Sequence, residues 1–234
     1  MTTLLRPDLR AVFLDVGGPI YDDENFVAAV LTALDEVRAE QGRGPVERAD
    51  FRAVYDRVRA AQGGSLRGAL AEELLGDRGL RQELHDRTRA HWVHPEGTMH
   101  ADVLPFLRAV HGRLTVAIVA NQERAVWDAL HRDGLGDLVD VWGISAVVGH
   151  EKPSPEFFGW ALEQAGVAPE QTVHVGNRLD TDVRPARALG LATVWVLRGE
   201  APDHPTPEQL AEPDLVVPGL AGLEDALLSP AARP

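Results

Sequence analysis

Asp15 closes a short apolar run, Ala11-Val12-Phe13-Leu14-Asp15, and leads straight into Gly17-Gly18. A carboxylate delivered by a buried strand to a glycine turn suits covalent catalysis. It can attack phosphorus or carbon and form an intermediate that water later opens. The glycines let backbone N–H groups of the turn approach an anion closely. The plainer alternative is an Asp that caps the turn after its strand. Three more apolar stretches end in polar residues in the same way. Residues 114–120 lead to Asn121, residues 147–151 to Lys152-Pro153, and residues 172–176 to Asn177-Arg178-Leu179-Asp180-Thr181-Asp182. Lys152 offers a point charge for phosphate oxygens and for the nucleophile, and Asn121 joins it in holding the anion. Asp182 is the candidate metal ligand. Mg²⁺ takes octahedral oxygen donors, and the Asp15 carboxylate, the Gly17 carbonyl and Asp182 offer three. Asp180 binds through water, orients the loop, or caps the helix that begins near residue 181.

These residues meet only if a sheet gathers them, and the patterns for one are present. After the first strand, strands are predicted at 114–120, 143–148, 172–176, 192–197 and 214–217, with helical stretches between them. Such alternation predicts an α/β fold with a doubly wound parallel sheet. Ligands bind at the carboxyl edge of such sheets. Ser154-Pro155-Glu156 reads as a helix start, with a cap, a proline at the first position and an acid in the first turn. Between the first and second strands lies a helical block. Phe26, Val30, Leu34 and Val37 form an apolar stripe, and Phe51, Val54, Tyr55 and Val58 repeat it. Two more helices are expected around Gly76-Asp77-Arg78-Gly79. The tail, residues 229–234, is expected to fray.

Taken in order, the Asp, the Asn, the Lys and the acidic loop resemble the four motifs of the haloacid dehalogenase (HAD) superfamily over roughly residues 10 to 200. The segment Glu151-Lys152-Pro153-Ser154-Pro155-Glu156-Phe157-Phe158 is the most specific piece. The resemblance implies a Rossmann-like core formed by residues 1–21 and 99–234. It also implies an all-helical cap of the C1 type, residues 22–98, that closes over the site and excludes water. It further implies a Mg²⁺-dependent phosphatase acting on a phosphorylated small molecule, with Asp15 as nucleophile and Lys152 on the transferring group. Gly17, Gly18, Asn121 and Lys152 would bind the substrate.

Three positions depart from that pattern. Gly17 stands where phosphatases carry an Asp that protonates the leaving oxygen and activates water. Loss of such a group costs about 10²–10⁴-fold in rate. Ala120 replaces a Ser or Thr hydroxyl, which shifts the donor role to Asn121. Asn177 replaces an Asp, leaving a neutral and weaker metal ligand. Two other readings therefore stand beside the phosphatase. Metal-independent 2-haloacid dehalogenases use the same nucleophile, and Asn177-Arg178-Leu179-Asp180 matches their Asn-x-x-Asp. Gly17 and Pro19 stand where those enzymes carry an aromatic residue and a Thr. Alternatively, the fold binds a ligand without turning it over.

Composition narrows the partners. Acidic residues outnumber basic ones by 36 to 23, for a net charge of −13. That surface argues against nucleic acid and anionic membranes, which need clustered Lys and Arg. Cysteine is absent, so disulfides, a thiolate nucleophile and a Cys-based zinc site are excluded. No apolar run approaches the ~18 residues of a membrane span, and no signal-peptide h-region opens the chain. A cytoplasmic location is expected, and the oligomeric state is not encoded legibly. His85, His91, His94 and His100 cluster around Trp92, and packing or solvent-facing roles are favoured over zinc. His150 and His174 flank site strands, as structural residues or as residues that tune the pocket. Tyr21, Asp22 and Asp23 are candidates for specificity.

Overall fold

Side chains on a strand point alternately to opposite faces, and β1 (Ala11–Leu14) is buried throughout. The computed structural model describes residues 5–228, so the tail at 229–234 lies outside the described residues. Two compact units divide the chain. One contains the residues up to Asp22, Pro95–Ala201 and the residues from Pro205 on; the other contains Asp23–His94 and Pro202–His204.

The second unit is helical and follows β1 in sequence. Its α1 (Glu24–Glu40) buries the predicted stripe of Phe26, Val30, Leu34 and Val37, and α2 (Arg48–Ala61) buries Phe51, Val54 and Tyr55. Ser65 caps α3 (Leu66–Leu70) by accepting a hydrogen bond from the Gly68 N–H. The wider turn Ala71–Leu75 ends at Gly76, whose φ of 82° favours glycine. After that comes α4 (Arg81–His91). Leu34, Leu70 and Leu84 lie at the centre of this unit's core. Asp203 belongs to the unit and pairs with Arg59 at 2.9 Å. His91 Nε2 lies 2.7 Å from Glu36. Among the described residues no group of three or more His, Asp or Glu side chains could hold a metal.

Among the described residues, the first unit carries six parallel strands in the order β3-β2-β1-β4-β5-β6. They are β1, β2 (Thr115–Ala120), β3 (Val141–Ile144), β4 (Thr172–Gly176), β5 (Ala192–Val196) and β6 (Leu215–Val217). Val12, Leu14, Val116, Ile118, Val173 and Val175 face one side, against α5 (Val103–Val110), α6 (Val126–Arg132) and α11 (Glu224–Leu227). Ala11, Phe13, Ala117 and Val119 face the other, against α8 (Pro155–Ala165) and α9 (Arg184–Ala188). A parallel sheet needs helices on both faces, and each fully buried Val, Leu, Ile or Phe contributes about 1.5–3 kcal/mol. The sheet is thus wound in both directions from β1. Short helices α7 (Ser145–Val148) and α10 (Pro207–Leu210) complete the unit. No helix among the described residues is long and apolar enough to cross a membrane.

One expected strand is corrected. The run 143–148 is extended only to Ile144, and Ser145–Val148 forms a helical turn. Gly149, at φ 83°, closes that turn by donating to the Ser145 carbonyl at 2.9 Å. The Ser145 hydroxyl accepts from the Gln122 N–H at 3.0 Å, so the segment is tied back to the end of β2.

Candidate active site

The strand order changes direction at β1, and Asp15, Asn121 and Asn177 each follow the last residue of a central strand. Brought to one edge, they meet the loop that carries Lys152. The Lys152 ammonium lies 2.9 Å from Asp15 Oδ1 and 2.5 Å from Asp182 Oδ1. Lys152 is only 3% exposed and Asp182 fully buried. His174, on β4, completes the cluster, with Nε2 3.0 Å from the same Asp182 oxygen. The second Asp182 oxygen accepts from the Arg178 backbone N–H at 3.0 Å.

Burial pushes the Asp15 carboxyl up, to about 6, against the pull of Lys152. Burial acts in the same direction on Asp182, yet Lys152 and His174 outweigh it and hold that carboxyl well below the ordinary range. Burial disfavours the charged Lys152, but two carboxylates overcome it and raise its pKa. His174 is lowered by burial, so it is neutral at pH 7 and donates from Nε2. The arrangement is a buried ammonium shared by two carboxylates of unequal basicity. Asp15 is the more basic, as attack on an electrophile requires.

Other expected residues are placed differently. The Asn121 carboxamide does not stand free for an anion: Nδ2 donates to the Lys152 carbonyl at 2.8 Å and Oδ1 accepts the Lys152 N–H at 2.7 Å. It clasps the lysine backbone and fixes where the ammonium points. The Gly18 N–H is likewise engaged, donating to the Tyr21 carbonyl at 2.8 Å. Gly18 is the residue in the left-handed region, with φ 82°. A Cβ there would come within 2.2 Å of Asn177 Nδ2. Gly17 pairs with Tyr21 in a bridge. Tyr21 is fully buried, with its hydroxyl donating to Asp133 at 2.7 Å, so it packs the turn and is not displayed for specificity.

The expected magnesium ligands were the Asp15 carboxylate, the Gly17 carbonyl, Asp182 and Asn177, and the donors present do not fit that ion. Both Asp182 oxygens are taken by Lys152, His174 and Arg178. Asn177 is neutral, and its Nδ2 donates to the Arg198 carbonyl at 3.1 Å. Asp180 is paired bidentately with the Arg178 guanidinium at 2.9 and 2.7 Å. Arg178 reaches Glu200 as well, at 3.3 Å. Asp15 is itself paired with Lys152 at 2.9 Å, and Mg²⁺ in protein sites is held through hard oxygen ligands, carboxylates above all.

Two contributors were not legible as such. Arg178 is mostly buried and clamps the loop through Asp180 and Glu200. Trp195 anchors the same loop, its indole N–H donating to the Asn177 carbonyl at 2.9 Å. His174 did carry a signal: a polar residue on the inward face of Thr172–Gly176, where Phe158 packs edge-on at 5.1 Å.

The model of the haloacid dehalogenase-like hydrolase family matches residues 9–190. A phosphoglycolate phosphatase from Vibrio vulnificus is 30% identical over 162 residues, which is 68% of each chain. A glyceraldehyde 3-phosphate phosphatase from Methanopyrus kandleri is 36% identical over 110 residues, covering 44% of this chain and 46% of that protein. The chain thus spans less than half the length of the latter relative. Among solved structures, a HAD-hydrolase from Bacillus subtilis bound to magnesium superposes with a TM-score of 0.65 at 21% identity, covering 94% and 99% of the two chains. A 2-haloacid dehalogenase from Pseudomonas syringae gives 0.59 at 22%, covering 93% and 97%. At these identities the structural likenesses establish the fold alone.

Proposed function

The chain belongs to the haloacid dehalogenase-like hydrolases, and from that premise we propose that it hydrolyses a phosphorylated small molecule through a covalent intermediate on Asp15. The observation that carries this reading is the buried contact of Asp15 with Lys152 at the carboxyl end of the central strand. Named phosphatases among the relatives support the substrate class. An Asp15 oxygen attacks phosphorus, the bond from phosphorus to the leaving oxygen breaks, and that oxygen departs with the electron pair. Water then attacks phosphorus, which frees phosphate, restores the carboxylate and releases a proton to solvent. Lys152 offsets charge on the transferring group. Asn121 positions Lys152, and Asp182, itself bonded to His174, holds its ammonium. Magnesium enters no step, because the donors present do not suit it. The partner is a small molecule, in keeping with the acidic surface, and the setting is the cytoplasm.

Gly17 supports a second reading. Attack of Asp15 on carbon with departure of a halide needs no proton at the leaving group, although Gly17 and Pro19 depart from the dehalogenase pattern. Phosphate release from a panel of phosphoesters and acyl phosphates, measured beside chloride release from 2-haloacids, separates the two. Phosphate release that vanishes in Asp15→Asn is expected. Chloride release without phosphate release would replace the first reading with the second.

A further inference from the structure

We infer that the Lys152 ammonium is the only cation this site uses, and that no divalent ion binds beside Asp15. The inference deepens the proposed function but is measured on the protein without substrate. It rests on how the side chains already pair. A divalent ion beside Asp15 would need the Asp182 carboxylate, Asn177 or both. Asp182 is enclosed, with Lys152 and His174 on one oxygen and the Arg178 N–H on the other. To offer a metal its Oδ1 it would have to leave Lys152 as a buried, half-paired charge, a costly state, and its Oδ2 already accepts the Arg178 N–H. Asn177 is held between the Arg198 carbonyl, the Trp195 indole and the close approach of Gly18. The nearest other carboxylate in the loop, Asp180, is committed to Arg178.

A consequence for the substrate follows. With neither a divalent ion nor a carboxyl at Gly17, the residues described around Asp15 supply no proton to a leaving oxygen. Phosphoryl transfer would then be confined to leaving groups that depart as stable anions, such as the carboxylate of an acyl phosphate. Alkyl phosphoesters, whose alkoxide needs a proton, would react poorly. The factor is the ~10²–10⁴ that a general acid supplies.

Mn²⁺ titration followed by electron paramagnetic resonance, with Mg²⁺ calorimetry beside it, tests the inference directly. The wild-type protein is expected to show no saturable binding at low millimolar metal. Asn177→Asp, which replaces the amide that now donates to the Arg198 carbonyl with a carboxylate no longer tied there, should gain a site at least ~10-fold tighter, about 1.4 kcal/mol. Its melting curve and the neutral control Asn177→Ser establish that the fold is kept. Stoichiometric binding by the wild type that Asp15→Asn abolishes would overturn the inference. A folded Asn177→Asp that binds no metal would overturn the role given to Asn177. Acetyl phosphate turnover is expected to stay within about twofold in EDTA, and a collapse of turnover there would also overturn it. Absence of all turnover would count against the proposed reaction, while the titration would still decide the metal.

Discussion

Lys152 is held by opposite charges on two sides, and neither can be spared. Replacing it with Met leaves Asp15 and Asp182 facing each other inside the protein. Removal of one partner from a buried ion pair typically costs about 3–5 kcal/mol. Lys152→Met should therefore unfold at clearly lower urea than the wild type. A loss below about 1 kcal/mol would mean that water or rearrangement relieves the two carboxylates. As the proposed nucleophile, Asp15 must be ionised to attack. With its carboxyl raised to about 6 by burial, kcat/KM should climb as pH rises through that value and level off above it. A profile already flat from pH 4.5 would show that the nucleophile is ionised over the whole range. Gly18 sets a third limit. Ala at φ 82° costs about 1–2 kcal/mol, and its Cβ would strike the Asn177 amide. Gly18→Ala should lose that much stability or more and displace Asn177, as its side-chain NMR signals would report.

At the scale of elements, α8 connects the lysine loop to the sheet. Ser154 caps it, accepting from the Glu156 N–H at 3.3 Å, and Pro155 opens it. Phe157 and Phe158 then drive the helix onto the face of the sheet that carries His174. Phe158→Ala should cost about 3–5 kcal/mol as a core truncation. If calorimetry shows less than 1 kcal/mol, α8 does not depend on this packing. The sequence made α8 legible because cap, proline and apolar pair all stand in a row. The parallel, doubly wound sheet and the place of Asp15 at its edge were legible because Asp15 directly follows an apolar run of strand length. Partner choice was not legible. An Asn before a loop offers the same amide to an anion as to a backbone, and only the fold brings the Lys152 N–H and carbonyl within its reach. For Asp182, spacing cannot reveal that Lys152, thirty residues earlier in the chain, comes within 2.5 Å of it. The turn at Ser145–Val148 was hidden by residues of high strand preference that Gly149 and the Gln122 contact override.

Considered as a whole, the molecule carries a large excess of negative charge, −13 at neutral pH. Self-repulsion of this kind weakens the folded state, and salt screens it over about 10 Å at 0.1 M. Raising NaCl from 10 mM to 300 mM should therefore raise the melting temperature. A fall would mean that exposed ion pairs such as Arg184–Glu212 outweigh the excess charge. Under the proposed function, an anionic substrate would be drawn to this surface only by local features, Lys152 foremost among them.

Trp195 gives this site an optical reporter of its own. Its indole is sealed from water and hydrogen-bonded to the Asn177 carbonyl, so its emission is set by the posture of that loop. Anything that shifts the loop changes the indole's environment without a label being attached. Subtracting the signal of Trp195→Phe from that of the wild type would isolate this one fluorophore from the other four, turning a packing contact into a meter for events beside Asp15.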